Sequence, residues 1–157
     1  MTPEEELFAE LESKVGEEVA VTDWFSIDQE GADTFGNLTD DWDPMHNDPE
    51  WGRNGPWGGT IAHGYHVLSL ISSFLKHGLK LPILTNDRVF ALNYGLDKVR
   101  FLTPFRIGKR ARSHIVLSSI REKRPREFLV KTTHTIEIEG EDKPFMVAEA
   151  LSLYVMT

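Results

Sequence analysis

No Asp, Glu, Lys or Arg occurs from Thr60 to Phe74. The apolar residues there, Ile61, Ala62, Tyr65, Val67, Leu68, Leu70, Ile71 and Phe74, followed by Leu75, fall on nearly every side of a helical projection. A helix that is apolar all round must be covered on all sides. The spacing therefore predicts one long helix over residues 60–77, stopped by Gly78 and enclosed by the rest of the fold. The segment is too short to span a bilayer, and no other run is apolar for long enough to do so.

Everything after this helix changes period. Arg88–Tyr94 and Leu96–Leu102 read as strands. Arg112–Ile120, Phe128–Ile138 and Phe145–Met156 alternate over longer stretches, joined by turn-rich segments at 123–126 and 140–144. Phe128, Val130, Thr132, His134, Ile136 and Ile138 form one face of the middle strand. Before the helix, Thr2, Pro3 and Glu5 carry a capping-box signature for an N-terminal helix within residues 1–16, with Leu7, Phe8, Leu11 and Val15 as its apolar stripe. A short strand is expected around Val19–Phe25. A second helix then starts at Asp28 and turns Ala32, Phe35 and Leu38 inward. Helices first and antiparallel strands later define an α+β chain. At 157 residues it fits one domain, 1–157, with a curled antiparallel sheet around the buried helix.

Residues 39–59 form a loop too long to be a mere connection. Trp42, Trp51 and Trp57 argue against disorder, because large aromatics need a surface to pack on. Within it Asp41 and His46 stand five apart, with Pro44 stiffening the segment between them. A carboxylate and an imidazole converging on one water supply the pair that general acid–base chemistry needs. Gly64 lies in the first turn of the central helix, where backbone N–H groups lack helical partners. Such an N–H can receive a developing oxyanion, although a glycine there also serves close packing. His63 and His66 share a helix face and could join His46 or Asp41 around a metal, but the flanking glutamate of a zincin helix is missing.

Charge narrows the partners. The net charge is −8, and residues 1–50 hold 16 of the 25 acids with Lys14 as their single base. This balance argues against a nucleic-acid footprint. The basic second half suits a phosphorylated small molecule, or simply neutralises the first half. Arg53, Lys98, Arg100, Lys109, Arg110 and Arg112 are the candidate phosphate contacts. Without cysteine there is no disulfide scaffold, thiolate metal site or cysteine nucleophile. The acidic start, unlike a signal peptide, leads us to expect a cytoplasmic protein without membrane or nucleic-acid partners.

Three segments together resemble a known family: Asp40-Asp41-Trp42-Asp43-Pro44-Met45-His46, Gly58-Gly59-Thr60-Ile61-Ala62-His63-Gly64, and Asn93-Tyr94-Gly95-Leu96-Asp97-Lys98-Val99-Arg100-Phe101. They are similar to the MaoC-like, (R)-specific enoyl-CoA hydratase (hydratase-2) family of hotdog proteins, within its nodulation protein N-like branch. The resemblance runs from Val21 to Tyr154. It implies a hotdog fold, a homodimer, and syn hydration of trans-2-enoyl thioesters carried by coenzyme A or an acyl-carrier protein, or the reverse dehydration. Asp41 and His46 match the family's catalytic pair, and Gly64 its oxyanion donor. Asp43 and His63 are further candidates for substrate binding. Asp41 would take a proton from water and His46 deliver one to C2, or the reverse. No metal or redox cofactor is implied. Two positions depart from the motif Gly-Asp-x-Asn-Pro-(aliphatic)-His: its glycine is Asp40 and its asparagine Asp43. If Asp43 points inward as that asparagine does, two carboxylates crowd the site. A non-catalytic acyl-thioester-binding protein and a hotdog thioesterase are the alternatives. The absence of Asp and Glu from residues 60–77 disfavours the second.

Overall fold

The alternating segments pair into one antiparallel sheet. The computed structural model describes residues 1–79 and 87–157. Its elements in chain order are α1 (Pro3–Ser13), β1 (Glu18–Val21), β2 (Phe25–Ser26), α2 (Gln29–Thr39), α3 (Pro44–Asn47), α4 (Pro49–Asn54), α5 (Gly64–Ser69), α6 (Ile71–Gly78), β3 (Val89–Phe101), β4 (Arg110–Arg124), β5 (Glu127–Ile138) and β6 (Met146–Met156). The strand order is β1-β4-β5-β6-β3, with β2 also on β4. Register places Ile115 opposite His134 and His134 opposite Ala148, so the period-two faces of the three long strands coincide.

That shared face is the core. Ala111, Ile115, Ile136, Ile138, Met146 and Ala148 pack with Val67, Ile71, Phe74 and Leu75 of α5 and α6. Farther along the sheet, Leu117, Phe128, Val130, Tyr154 and Met156 are covered by Leu11 of α1. The capping box starts α1 as expected: Thr2 Oγ1 accepts from Glu5 N–H (3.2 Å), and Thr2 N–H donates to Glu5 Oε2 (2.8 Å). The buried His134 ring lies 3.2 Å from Ser113 Oγ and 3.0 Å from Thr132 Oγ1. Burial pushes its pKa down to about 4, so it is neutral and satisfied within the sheet.

Several boundaries differ from the sequence expectation. The helix over 60–77 is two helices. Residues 60–63 are extended because backbone bonds capture them: Ile61 N–H to Met45 O (3.0 Å), Ala62 N–H to Phe105 O (2.8 Å) and Ile107 N–H to Thr60 O (2.9 Å). The helix accordingly starts at Gly64 and breaks at Leu70. It is also not covered all round, since Tyr65, Ser69, Ser72 and Ser73 are exposed. Uncharged serines satisfied the test for a charge-free segment while marking a solvent face. The strand over Val19–Phe25 is interrupted, and its parts, β1 and β2, both pair with β4. The two strands over 88–102 are one strand, β3, with irregularities at Asn93/Gly95 and Leu96/Val99. Leu38 points outward and is 83% exposed. No helix of the described residues is long and apolar enough to cross a membrane.

Candidate active site

The segment over 39–59 is organised by its aspartates and prolines. Asp40 ends α2 in the left-handed region, at φ 56°. Glycine is the residue best suited to that conformation, and a negative charge at a helix C-terminus opposes the dipole. Asp40→Gly should therefore raise stability by about 0.5–1 kcal/mol, read as a higher midpoint in urea. A lower midpoint would mean that the carboxylate has a stabilising role.

The same logic corrects the expectation for Asp43. Its carboxylate accepts the Met45 N–H (3.0 Å) and caps α3, with Pro44 at the first helical position. Asp43 is exposed and does not line the cleft that holds Asp41 and His46. The crowding of two carboxylates in the site does not arise. Asp48 caps α4 in the same way, accepting from Glu50 N–H and Trp51 N–H (both 3.1 Å).

Two residues that the sequence reading missed brace this segment. The Asn47 amide donates to Ala32 O (3.3 Å) and Asp33 Oδ1 (3.0 Å) and accepts from Asp43 N–H (3.2 Å). Gln29 donates to His46 O (2.8 Å) and accepts from the Thr60 hydroxyl (2.7 Å). Gly36 lets α2 approach this closely: a Cβ there would lie 3.1 Å from Asn47 Nδ2 and from Asp41 O. The signal was local. Asn47 directly follows His46, but two of its three partners, Ala32 O and Asp33 Oδ1, lie on α2, too distant in sequence for spacing to reveal.

The catalytic candidates converge. Asp41, His46, His63 and Gly64 line one cleft of about 490 Å³, whose other wall includes Phe101, Phe105 and Phe145. His46 is 7% exposed. Its Nδ1 lies 2.7 Å from Ile61 O, and since a carbonyl only accepts, Nδ1 carries the hydrogen. Nε2 has no hydrogen-bond partner among the described residues. The His63 ring stacks on His46 at 4.0 Å between centroids. His63 is 2% exposed, and its Nε2–H donates to Asp41 O (2.9 Å). His63 thus touches both members of the pair, as a brace beneath them. His66 stacks on Phe35 instead, at 4.8 Å. Burial and then the neighbouring His63 hold its pKa below the usual histidine value, while Asp28 opposes them.

Gly64 serves close packing as well as opening the helix. A Cβ on it would meet the Phe101 ring at 3.0 Å. Its N–H has no backbone acceptor among the described residues. The sequence-nominated cations lie elsewhere. Arg53, Lys98 and Arg100 are outside the cleft lining. Lys109 pairs with Glu141, Arg110 with Glu139, and Arg112 with Glu137.

The family model described as "MaoC like domain" matches residues 10–139. The chain belongs to the MaoC-like family. This MaoC-like chain is 37% identical to nodulation protein N of Rhizobium leguminosarum bv. viciae over 147 residues, covering 92% of the chain and 89% of that protein. It is also 37% identical to 3-hydroxyacyl-thioester dehydratase Z of Mycobacterium tuberculosis over 156 residues, covering 96% of the chain and 97% of that protein. The MaoC-like chain shares its fold with R-hydratase PhaJ1 from Pseudomonas aeruginosa, at a TM-score of 0.71 and 22% identity over 96% of this chain and 86% of that one. The sheet curled around α5 and α6 is the hotdog fold, as the sequence resemblance implied.

Proposed function

We propose that this MaoC-like chain is a hydro-lyase that interconverts trans-2-enoyl thioesters and (R)-3-hydroxyacyl thioesters. The observation that carries the reading is the convergence of Asp41, His46 and Gly64 on one cleft. The dehydratase Z and (R)-hydratase names of its relatives support the same class.

With Nδ1–H held by Ile61 O, Nε2 is the nitrogen of His46 left for proton transfer, and in this reading it acts as the base. It takes a proton from water as the oxygen bonds to C3, and the resulting imidazolium returns a proton to C2. Asp41 accepts a hydrogen bond from the other water hydrogen, which stays on the hydroxyl, and so orients the nucleophile. Charge builds on the thioester oxygen in the enolate-like state, where the Gly64 N–H stabilises it. Because His46 both takes the proton from the water and returns one to C2, hydroxyl and proton enter on the same face, which is syn addition. Incubation with crotonyl-CoA tests the reading. Loss of enoyl absorbance with formation of 3-hydroxybutyryl-CoA is expected, and an unchanged spectrum at micromolar enzyme would refute it.

A second copy of the chain belongs to this reading. β3 pairs only with β6, and its other edge is open among the described residues. The strand exposes Phe90, Leu92, Tyr94, Leu96 and Phe101, beside Tyr65 of α5. An open edge this long and apolar favours pairing with another strand, and a two-fold axis at β3 would continue the sheet. Light scattering at micromolar concentration should give twice the 17.9 kDa chain mass; a monomer mass would rule the pairing out.

A further inference from the structure

Four of the cations named from sequence are already engaged. Lys109, Arg110 and Arg112 each face a glutamate, and the Arg100 guanidinium donates to the Val99 carbonyl (2.7 Å). Arg106 differs. It is exposed, and no ion pair to it is found among the described residues.

Its placement is built. A cleft of about 290 Å³ is lined by Trp57, Thr103, Pro104, Arg106, Lys109 and Glu141. Thr103 and Pro104 also line the catalytic cleft, so the two are contiguous. The guanidinium lies against the Gly58-Gly59 turn. A Cβ on Gly59 would fall 3.0 Å from Arg106 Nε and 3.4 Å from Nη2, and Gly58 has φ +67°. Both glycines are therefore what that seat requires. Glu141, the cleft's carboxylate, is paired with Lys109 and leaves Arg106 as its uncompensated charge. Arg106 bridges Ile61 through the backbone, and Gly64 is three residues farther on, at most about 10 Å of chain. A group bound at Arg106 thus lies within reach of a flexible arm whose thioester carbonyl rests at the Gly64 N–H.

We infer that Arg106, seated on Gly58-Gly59 beside Trp57, binds the phosphate at the far end of the pantetheine arm of the thioester substrate. The planar guanidinium matches phosphate oxygens in a bidentate fashion, and such charge-assisted bonds are strong. The inference rests on the enoyl-thioester reading above for its ligand. The phosphate has two sources: the single ester on a carrier protein's 4′-phosphopantetheine, or the additional phosphates of coenzyme A.

The experiment compares crotonyl thioesters of pantetheine, 4′-phosphopantetheine and coenzyme A, with wild-type protein, Arg106→Gln and Arg106→Lys. In the wild type, kcat/KM for a phosphorylated carrier should exceed that for pantetheine about tenfold or more. In Arg106→Gln that ratio should collapse toward one, while Arg106→Lys keeps part of it. A gain already present with 4′-phosphopantetheine identifies the phosphate nearest the arm. A gain seen only with coenzyme A identifies the adenosine-side phosphates. With either pattern, loss of that gain in Arg106→Gln upholds the role of Arg106. An unchanged ratio in Arg106→Gln overturns it. Calorimetric titration with free coenzyme A decides the point independently of turnover: Kd should rise about tenfold in Arg106→Gln. Absence of turnover on all three thioesters would sink the hydratase reading, and the titration would still settle whether Arg106 holds the phosphate.

Discussion

His46→Gln should lower kcat on crotonyl-CoA by about 10²-fold or more, the usual contribution of a positioned acid–base group. Glutamine keeps much of the volume and places an amide near the position of Nε2. It cannot take a proton from water. Asp41→Asn should fall comparably, because an amide turns one acceptor toward the water into a donor. The two groups act on one water, so the double variant should be little worse than either single one. Steady-state kinetics with circular dichroism as a check on folding decides this. Near-native turnover in either variant would remove that residue from the chemistry.

Gly52→Ala should destabilise the fold by about 2–3 kcal/mol, the upper part of the range for overpacking. A Cβ at Gly52 would lie 2.6 Å from Thr60 N, 2.8 Å from Gly59 C and 2.9 Å from Thr60 Cγ2. Two of these are backbone atoms, held in place by the Ile107 N–H to Thr60 O bond and the Ile61 N–H to Met45 O bond. They cannot move aside as a flexible side chain would. For a chain of this size the melting temperature should fall by roughly 5–10 °C. Activity should fall too, because the displaced strand carries both Ile61 O, the partner of His46, and the Thr60 hydroxyl that holds Gln29. An unchanged melting temperature would show that α4 rides over the strand more loosely than its contacts indicate.

The α+β class, the three long strands and their shared face were legible because period two survives burial on one side only. That Asp41 and His46 share one cleft was legible because both lie in one short segment and match a family motif. What failed to show has a physical cause in each case. Residues 60–63 carry no local signal against helix; they are extended because Met45, Phe105 and Ile107 bond to their backbone. Asp43 reads as a site residue by position, yet an aspartate before Pro44 is also a helix cap, and the cap prevails. Arg106 was not among the cations singled out from the sequence; it stands out only because its neighbours Lys109, Arg110 and Arg112 are paired in the fold. Gln29 and Asn47 act through partners on other elements, which no periodicity reports.

The central claim is that Asp41 and His46 add water to one face of an enoyl thioester held against Gly64. It is tested most directly by hydrating crotonyl-CoA in D₂O and resolving the product's stereochemistry by NMR after enzymatic analysis at C3. The account predicts the (R)-3-hydroxy product with one deuterium at C2, on the face that received the hydroxyl. An (S) product, or deuterium on the opposite face, would contradict it.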